Sequence, residues 1–204
     1  MSTSIKLLKQ TLSSFNRFVD LKHYCDQHLE KVGAGTSRLV YLLDDDAIIK
    51  VAKNRKGLLQ NEAECDYGRN HWDLSFRLID NDKFYRWLVC ERLQKCKKSD
   101  FKRLLGISFE QAELVIRHFA SMYDRKMPKY HSISAFKKTF EQIEQMLNQT
   151  PAGRVWLESV EYYLSDFQPK NIGDFLRVAN WGLAKRQGYL IPVIADFGFT
   201  EILY

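Results

Sequence analysis

Two short stretches of this 204-residue chain carry residue types suited to handling phosphate. Gly33-Ala34-Gly35 lies between two apolar runs, and glycine, having no Cβ, lets a backbone come close to a phosphate group. Lys50 follows in Ala47-Ile-Ile-Lys50, where its apolar neighbours predict a half-buried strand. Twelve residues further on Glu62, and then Glu64, offer carboxylates on a predicted helix. A lysine clamped by such a carboxylate presents a fixed positive charge to two phosphate oxygens. Lys53 is an alternative to Lys50, and Glu64 to Glu62.

The wider phosphate signatures are incomplete. Arg38 stands where GxGxxG would have its third glycine, no helix opens directly after it, and no Gly-Lys-Ser/Thr follows Gly35. Neither a dinucleotide-binding βαβ unit nor a P-loop is therefore indicated. Cys25, Cys65, Cys90 and Cys96 form no CxxC pair, which predicts a reduced, cytoplasmic protein. His23, His28, His71, His118 and His131 show no zinc-type spacing, and solvated or locally hydrogen-bonded side chains are expected of them. The opening MSTSIKLLKQTLSSF lacks an apolar signal core and Tyr189 to Ala195 is too short to span a bilayer, so no membrane association is expected.

These residues need elements to position them, and the composition can build them. Hydrophobic residues make up 45% of the chain and charged residues 27%, with 13 Phe and 10 Tyr, which excludes a disordered or low-complexity scaffold. Apolar residues from Leu8 to Leu21 recur at helical spacing, predicting an N-terminal helix. Leu29 to Val32, Arg38 to Leu42, Ala47 to Val51, Phe76 to Ile79 and Phe84 to Cys90 read as strands, with a short helix around Glu62 to Tyr67 between the third and fourth. Ser108-Phe-Glu-Gln111 has capping-box spacing ahead of one helix, Phe136 to Leu147 marks a second, and Thr150-Pro151 starts a third. A hairpin is predicted from Trp181 through Arg186-Gln-Gly188 to Ala195, with Pro192 placing its second strand at an edge or a bulge. The formal charge is +6, and its densest run, Lys95, Lys97, Lys98, Lys102 and Arg103, reads equally well as a solvated linker or as a nucleic-acid patch, though nucleic acid is not the expected partner of the chain. Trp72 and Trp87 are expected to pack rather than to stack on bases.

Near the C-terminus Val193-Ile-Ala-Asp196-Phe-Gly-Phe199 delivers an acidic residue from an apolar strand directly before Phe-Gly. With the glycine turn and Lys50, this resembles the protein kinase-like superfamily, in its small phage-encoded and aminoglycoside-phosphotransferase-like branches. The resemblance covers roughly residues 28 to 200 and implies a definite cast. Asp196 would bind the magnesium of the nucleotide, and backbone near Val89 to Arg92, including Glu91, would meet the adenine edge. The family also needs a catalytic-loop Asp and a metal-binding Asn, for which two pairs compete. Asp166 and Asn171 have the usual five-residue offset but lie far from Asp196; Asp174 and Asn180 have an offset of six and leave 16 residues for a hairpin, and are preferred. Asp174 would then orient the attacking hydroxyl while Asn180 and Asp196 hold Mg2+, a cation suited to oxygen ligands.

Departures from the family pattern are also plain. No His-Arg-Asp precedes either loop, and only six residues follow Gly198, where a protein kinase has its activation segment and peptide-docking helices. The expected architecture is α+β, a two-lobed protein kinase-like fold with a helical extension at 1–27, an antiparallel N-lobe at 28–94 and a shortened helical C-lobe at 95–204. The expected activity is ATP- and magnesium-dependent phosphoryl transfer to a hydroxyl of a protein or small molecule. The alternative is a catalytically weak kinase-like interaction protein, phage-encoded, that binds a host protein.

Overall fold

The structure, a computed structural model, describes residues 10–71, 73–123, 128–167 and 172–196. The chain divides into two compact units, Met1–Asn70 with Arg77–Arg92 and His71–Phe76 with Leu93–Tyr204. The fold class is the expected one, α+β with an antiparallel N-terminal sheet followed by helices.

In the first unit a helical stretch at 10–14 and helix α1 (Phe18–His28) precede β1 (Glu30–Ala34), β2 (Arg38–Leu42) and β3 (Ala47–Ala52). Helix α2 (Arg55–Asn70), β4 (Leu78–Asn81) and β5 (Trp87–Glu91) complete it, in the sheet order β1-β2-β3-β5-β4. All neighbours are antiparallel, and the register fixes which side chains share a face. Tyr41, Ile49 and Val89 lie opposite one another on one face, and Val40, Lys50 and Leu88 on the other. The first of these faces forms a core with Leu12, Leu21 and Cys25, all at most 1% exposed. Leu12, Leu21 and Cys25 of the N-terminal helical stretch thus line this core, and burying Leu21 alone contributes about 1.5–3 kcal/mol to it. The second face carries Lys50 against α2. With both faces covered, β3 reads as a nearly continuous apolar run instead of an alternating one.

Two strands begin later than expected, for separate reasons. Leu74 to Phe76 leave the first sheet altogether, since Ile194 N–H donates to the Leu74 carbonyl (2.7 Å) and Phe76 N–H to the Ile194 carbonyl (3.2 Å), inside the second unit. Ahead of β5 the chain makes a tight turn from Asp82, with Tyr85 at φ 57°. The buried Asp82 carboxylate accepts the Arg86 amide and two guanidinium N–H groups, and Arg86 also donates to the carbonyls of Ser13 and Phe15. Burial pushes the Asp82 carboxyl upward, but these Arg86 bonds outweigh it and hold it below its ordinary value.

The second unit contains β6 (Gln94–Lys95), α3 (Lys98–Leu105), α4 (Phe109–Tyr123), α5 (Ser134–Asn148), α6 (Pro151–Phe167), β7 (Trp181–Arg186) and β8 (Tyr189–Ile194). Lys95 lies on β6, and from Lys98 onward the lysine-rich run is a helix rather than a linker. Asp100 accepts the Lys97 amide at its start (2.8 Å), and Phe101 and Leu105, one turn apart, are fully buried. Its cations face outward in pairs: Lys98 meets Glu110 at 2.8 Å and Arg103 meets Asp100 at 2.5 Å. Lys98 is also the main cause that draws Glu110 down to about 2.

The anticipated capping box is present, with Ser108 and Gln111 bonding each other's amides at 2.8 and 3.2 Å. Phe101 packs edge-on against Trp156 and Trp181, joining α3, α6 and β7. The sheet order β6-β7-β8 puts Pro192 on an edge strand, as its missing N–H requires. Gln187 (φ 50°) and Gly188 (φ 87°) close the hairpin, both in the left-handed region that a two-residue turn of this kind demands. All four cysteines are free and buried, and among the described residues no helix is long and apolar enough to cross a membrane.

Candidate functional site

Lys50 projects from the face of β3 that meets α2, and its Nζ lies 2.8 Å from Glu64 Oε2. Arg38, two positions along β2 from the residue opposite Lys50, brings Nη1 to 2.7 Å from the same oxygen. The three side chains are only 5%, 6% and 1% exposed, for Lys50, Arg38 and Glu64 in turn. Glu64 Oε1 is buried without a hydrogen-bond partner, so the carboxylate is held entirely through one oxygen. Burial works to raise the Glu64 carboxyl, but the fields and hydrogen bonds of Arg38 and Lys50 prevail and its pKa is lowered. The arrangement is a pair of cations fixed in low dielectric around one ionised carboxylate.

The residue that meets Lys50 is therefore Glu64, and the expected partner Glu62 does not make that contact. Helical phase explains the correction. Helix α2 buries Ala63 and a stripe of Gly57, Asn61, Glu64, Cys65 and Gly68 recurring every three or four residues, and Glu62 stands half-exposed outside it. Lys53, the alternative to Lys50, is exposed and does something else: its Nζ donates to the Gly35 carbonyl (3.0 Å) and its amide to the Ser37 carbonyl (2.8 Å).

Those two bonds steady the loop after Gly33-Ala34-Gly35. Helix α2 presses on it too: a Cβ on Gly57 would lie 2.3 Å from the Ser37 carbonyl oxygen, so only glycine fits there. Gly33 and Gly35 differ from Gly57. Neither has a positive φ, and a Cβ on either would meet nothing closer than 3.4 Å. The chain's own packing gives no reason for these two glycines. Glu91 ends β5, where its amide donates to the Arg77 carbonyl (3.0 Å) and that of Arg92 to Asp46 (2.7 Å), so both N–H groups are already engaged.

In the second unit, the Asn180 carbonyl accepts the amides of Ala195 (2.8 Å) and Asp196 (3.4 Å). The two residues expected to hold a metal are thereby joined through the backbone, at the start of β7 and the end of β8. Asp174 closes a 3-10 turn, Ile172–Asp174, whose Ile172 carbonyl accepts the Phe175 amide at 3.0 Å. The Asp174 side chain lies outside the described residues, as do Asn171, Trp72 and residues 197–204. Asp166 stands in the last turn of α6, 61% exposed, with His71 Nε2 2.9 Å from its Oδ2. Carboxylate and amide oxygens of the Asp196 and Asn180 kind suit Mg2+, and the fixed ammonium of Lys50 suits a polyphosphate.

Sequence reasoning missed Arg38 and His71. Arg38 was visible only as an absent glycine, although its place one alternation step from Val40 puts it on the Lys50 face of the sheet. His71 and His118 are buried, at 5% and 8% exposed, rather than solvated; His118 stacks on Phe140 with centroids 3.7 Å apart. Trp87 packs in the core of the first unit as expected.

The antiparallel sheet, its lysine-bearing central strand and the helix that supplies the lysine's carboxylate partner belong to an α+β fold. No protein-family model matches the chain, and no curated protein matches it. Among solved structures, the streptomycin–ATP–APH(2'')-IIa ternary complex is similar at 13% identity, over 90% of this chain and 73% of that one, with a TM-score of 0.33.

Proposed function

We propose that the chain binds ATP with Mg2+ and transfers the terminal phosphoryl group to a hydroxyl of a protein or small molecule. The observation that carries this reading is the buried Lys50–Glu64 pair at 2.8 Å on a strand two steps beyond the glycine turn. A lysine held this way has its side chain fixed and aimed, which is what alignment of a triphosphate requires. Gly33 and Gly35, unexplained by packing, would let the loop backbone approach the phosphates. Asn180 and Asp196 would hold Mg2+, which neutralises charge on the phosphate oxygens when bound. Asp174 or Asp166 would orient the acceptor hydroxyl. Phosphoryl transfer depends mainly on such alignment and charge neutralisation, so no covalent protein intermediate is needed.

Calorimetry with ATP, with and without magnesium, tests the binding half. Saturable binding is expected of the wild type, with Lys50→Ala weakening it and Asp196→Ala removing the metal dependence. A folded wild type that binds no nucleotide refutes the proposal. A protein that binds Mg-ATP, transfers nothing to lysate components, and copurifies with one host protein supports the non-catalytic reading, including a phage-encoded role.

A further inference from the structure

His71 is the first residue after α2, and its ring is enclosed within the second unit. It is 5% exposed and lies edge-on to Tyr163 at 5.2 Å and tilted to Tyr162 at 5.4 Å. Its carbonyl accepts the amides of Leu74 (3.2 Å) and Ser75 (3.1 Å), so the backbone is fixed as firmly as the ring. Nε2 meets Asp166 Oδ2 at 2.9 Å, while Nδ1 is buried with no hydrogen-bond partner among the described residues. Burying a bare lone pair costs less than burying an unpaired N–H, so the proton belongs on Nε2, and the imidazole is a donor aimed at the carboxylate. A rigid, enclosed donor thus holds one oxygen of a carboxylate that is otherwise 61% exposed.

The buried Nε2–H needs an acceptor, and Asp166 supplies it, whereas the exposed carboxylate could be satisfied by water alone. For the carboxylate, the contact fixes its rotation through one oxygen of a side chain that stays 61% exposed. From this geometry we infer that His71 is a positioning residue for Asp166, and that Asp166, rather than Asp174, takes the proton of the acceptor hydroxyl. The inference rests on the phosphoryl-transfer reading above and deepens it.

In the step itself the acceptor's O–H proton passes to Asp166 as its oxygen forms the bond to the terminal phosphorus. The bond from that phosphorus to the bridging oxygen breaks, and ADP leaves with the electron pair. His71 keeps its own proton throughout. The arrangement follows the general logic of a base oriented by a third group, with histidine here in the orienting place.

The test uses the full chain and radiolabelled ATP, with lysate proteins and small hydroxyl compounds as acceptors. It compares wild type, Asp166→Asn, Asp174→Asn, His71→Phe, His71→Gln and the double variant His71→Phe/Asp166→Asn. Asp166→Asn is expected to lower kcat by about 100-fold or more, a larger loss than Asp174→Asn gives, with ATP binding within about twofold of wild type. His71→Phe keeps a ring between the tyrosines but loses the donor, and should lower kcat about 10-fold at unchanged KM for ATP. His71→Gln restores an N–H near the same place and should recover most of that loss. In the double variant His71→Phe should cost nothing further, because the group it positions is gone.

Near wild-type turnover in Asp166→Asn, with Asp174→Asn abolished, overturns the assignment while leaving phosphoryl transfer intact. Unchanged kcat in His71→Phe, or equal losses in His71→Phe and His71→Gln that track a fall in Tm, overturns the positioning role. A folded wild type that transfers nothing overturns the phosphoryl-transfer reading and this inference with it.

Discussion

Replacing Glu64 by glutamine removes one charge and almost no volume, and it should be among the most damaging conservative changes in the first unit. In the wild type, ammonium and guanidinium lie 2.8 and 2.7 Å from a single carboxylate oxygen. At an effective dielectric near 20, each such contact corresponds to roughly 6 kcal/mol of attraction, most of it spent on desolvation. The glutamine carbonyl can still accept one hydrogen bond, but Lys50 and Arg38 lose the negative charge of the carboxylate they share. Breaking a buried pair from one side costs about 3–5 kcal/mol, and the retained hydrogen bond places the estimate near 3. With an m-value of about 2 kcal/mol/M, the urea midpoint of the first unit should fall by roughly 1.5 M. Fluorescence of the buried Trp87 contributes a local signal for this unit, and a Trp87-retaining variant with the other tryptophans replaced isolates it. Glu62→Gln is the control and should move the midpoint by less than about 0.3 M, as expected for a half-exposed residue outside the buried stripe. Equal losses in the two variants, or a loss below about 1 kcal/mol in Glu64→Gln, would refute the assignment of Glu64 as the buried counter-charge.

Three further outcomes are open to measurement. Gly57→Ala should destabilise by about 1–2 kcal/mol net, since the clash with the Ser37 carbonyl outweighs what alanine gains in a helix, whereas Gly33→Ala and Gly35→Ala should leave Tm unchanged and weaken ATP binding; thermal shifts and calorimetry separate the two effects. Glu64 and Asp82 are both held below their ordinary pKa in the folded chain, so their stabilisation is complete above the unfolded value near 4 and is lost as pH falls through the lower folded value. The urea midpoint should thus be flat from about pH 7 to 5 and drop below about 4, with a shallower drop in Glu64→Gln. Burial pushes the thiols of Cys25, Cys65, Cys90 and Cys96 up to about 12, so iodoacetamide should label them only in denaturant, and rapid labelling of the native chain would contradict their burial.

The elements were legible where one physical signal dominated. Arg38 to Leu42 and Ala47 to Val51 have the β-branched and apolar character of strands and flank a triple-Asp turn, and both are strands within one residue of expectation. The Ser108–Gln111 box and the Gln187-Gly188 turn are local chemistry, which sequence records directly. Legibility failed where two signals overlapped. In Lys95 to Arg103 the density of charge concealed Phe101 and Leu105, the pair that decides the helix. In α2 the choice between Glu62 and Glu64 depended on phase, and the phase is set by small residues, Gly57, Asn61 and Gly68, that a search for large apolar side chains passes over. The Asp166–His71 contact was not legible at all, because it joins residues far apart in sequence through a segment, 71–76, that fell inside the expected N-lobe at 28–94.

That six-residue segment makes the two units inseparable by any single cut. The chain crosses from one unit to the other after Asn70, back after Phe76, and over again after Arg92. Arg186, 3% exposed, donates to the Ser75 carbonyl at 2.6 Å across a sequence separation of 111 residues. A fragment beginning at Leu93 would take the Ser75 carbonyl from that guanidinium and leave the Ile194 amide without the Leu74 carbonyl, a penalty of about 1–3 kcal/mol for the orphaned amide. During synthesis the segment must wait, unpaired, until β7 and β8 have left the ribosome, so the second unit is finished only when nearly the whole described chain is available. Dissecting the protein into working halves therefore calls for a rearranged gene in which residues 71–76 are spliced ahead of Leu93, rather than for a truncation.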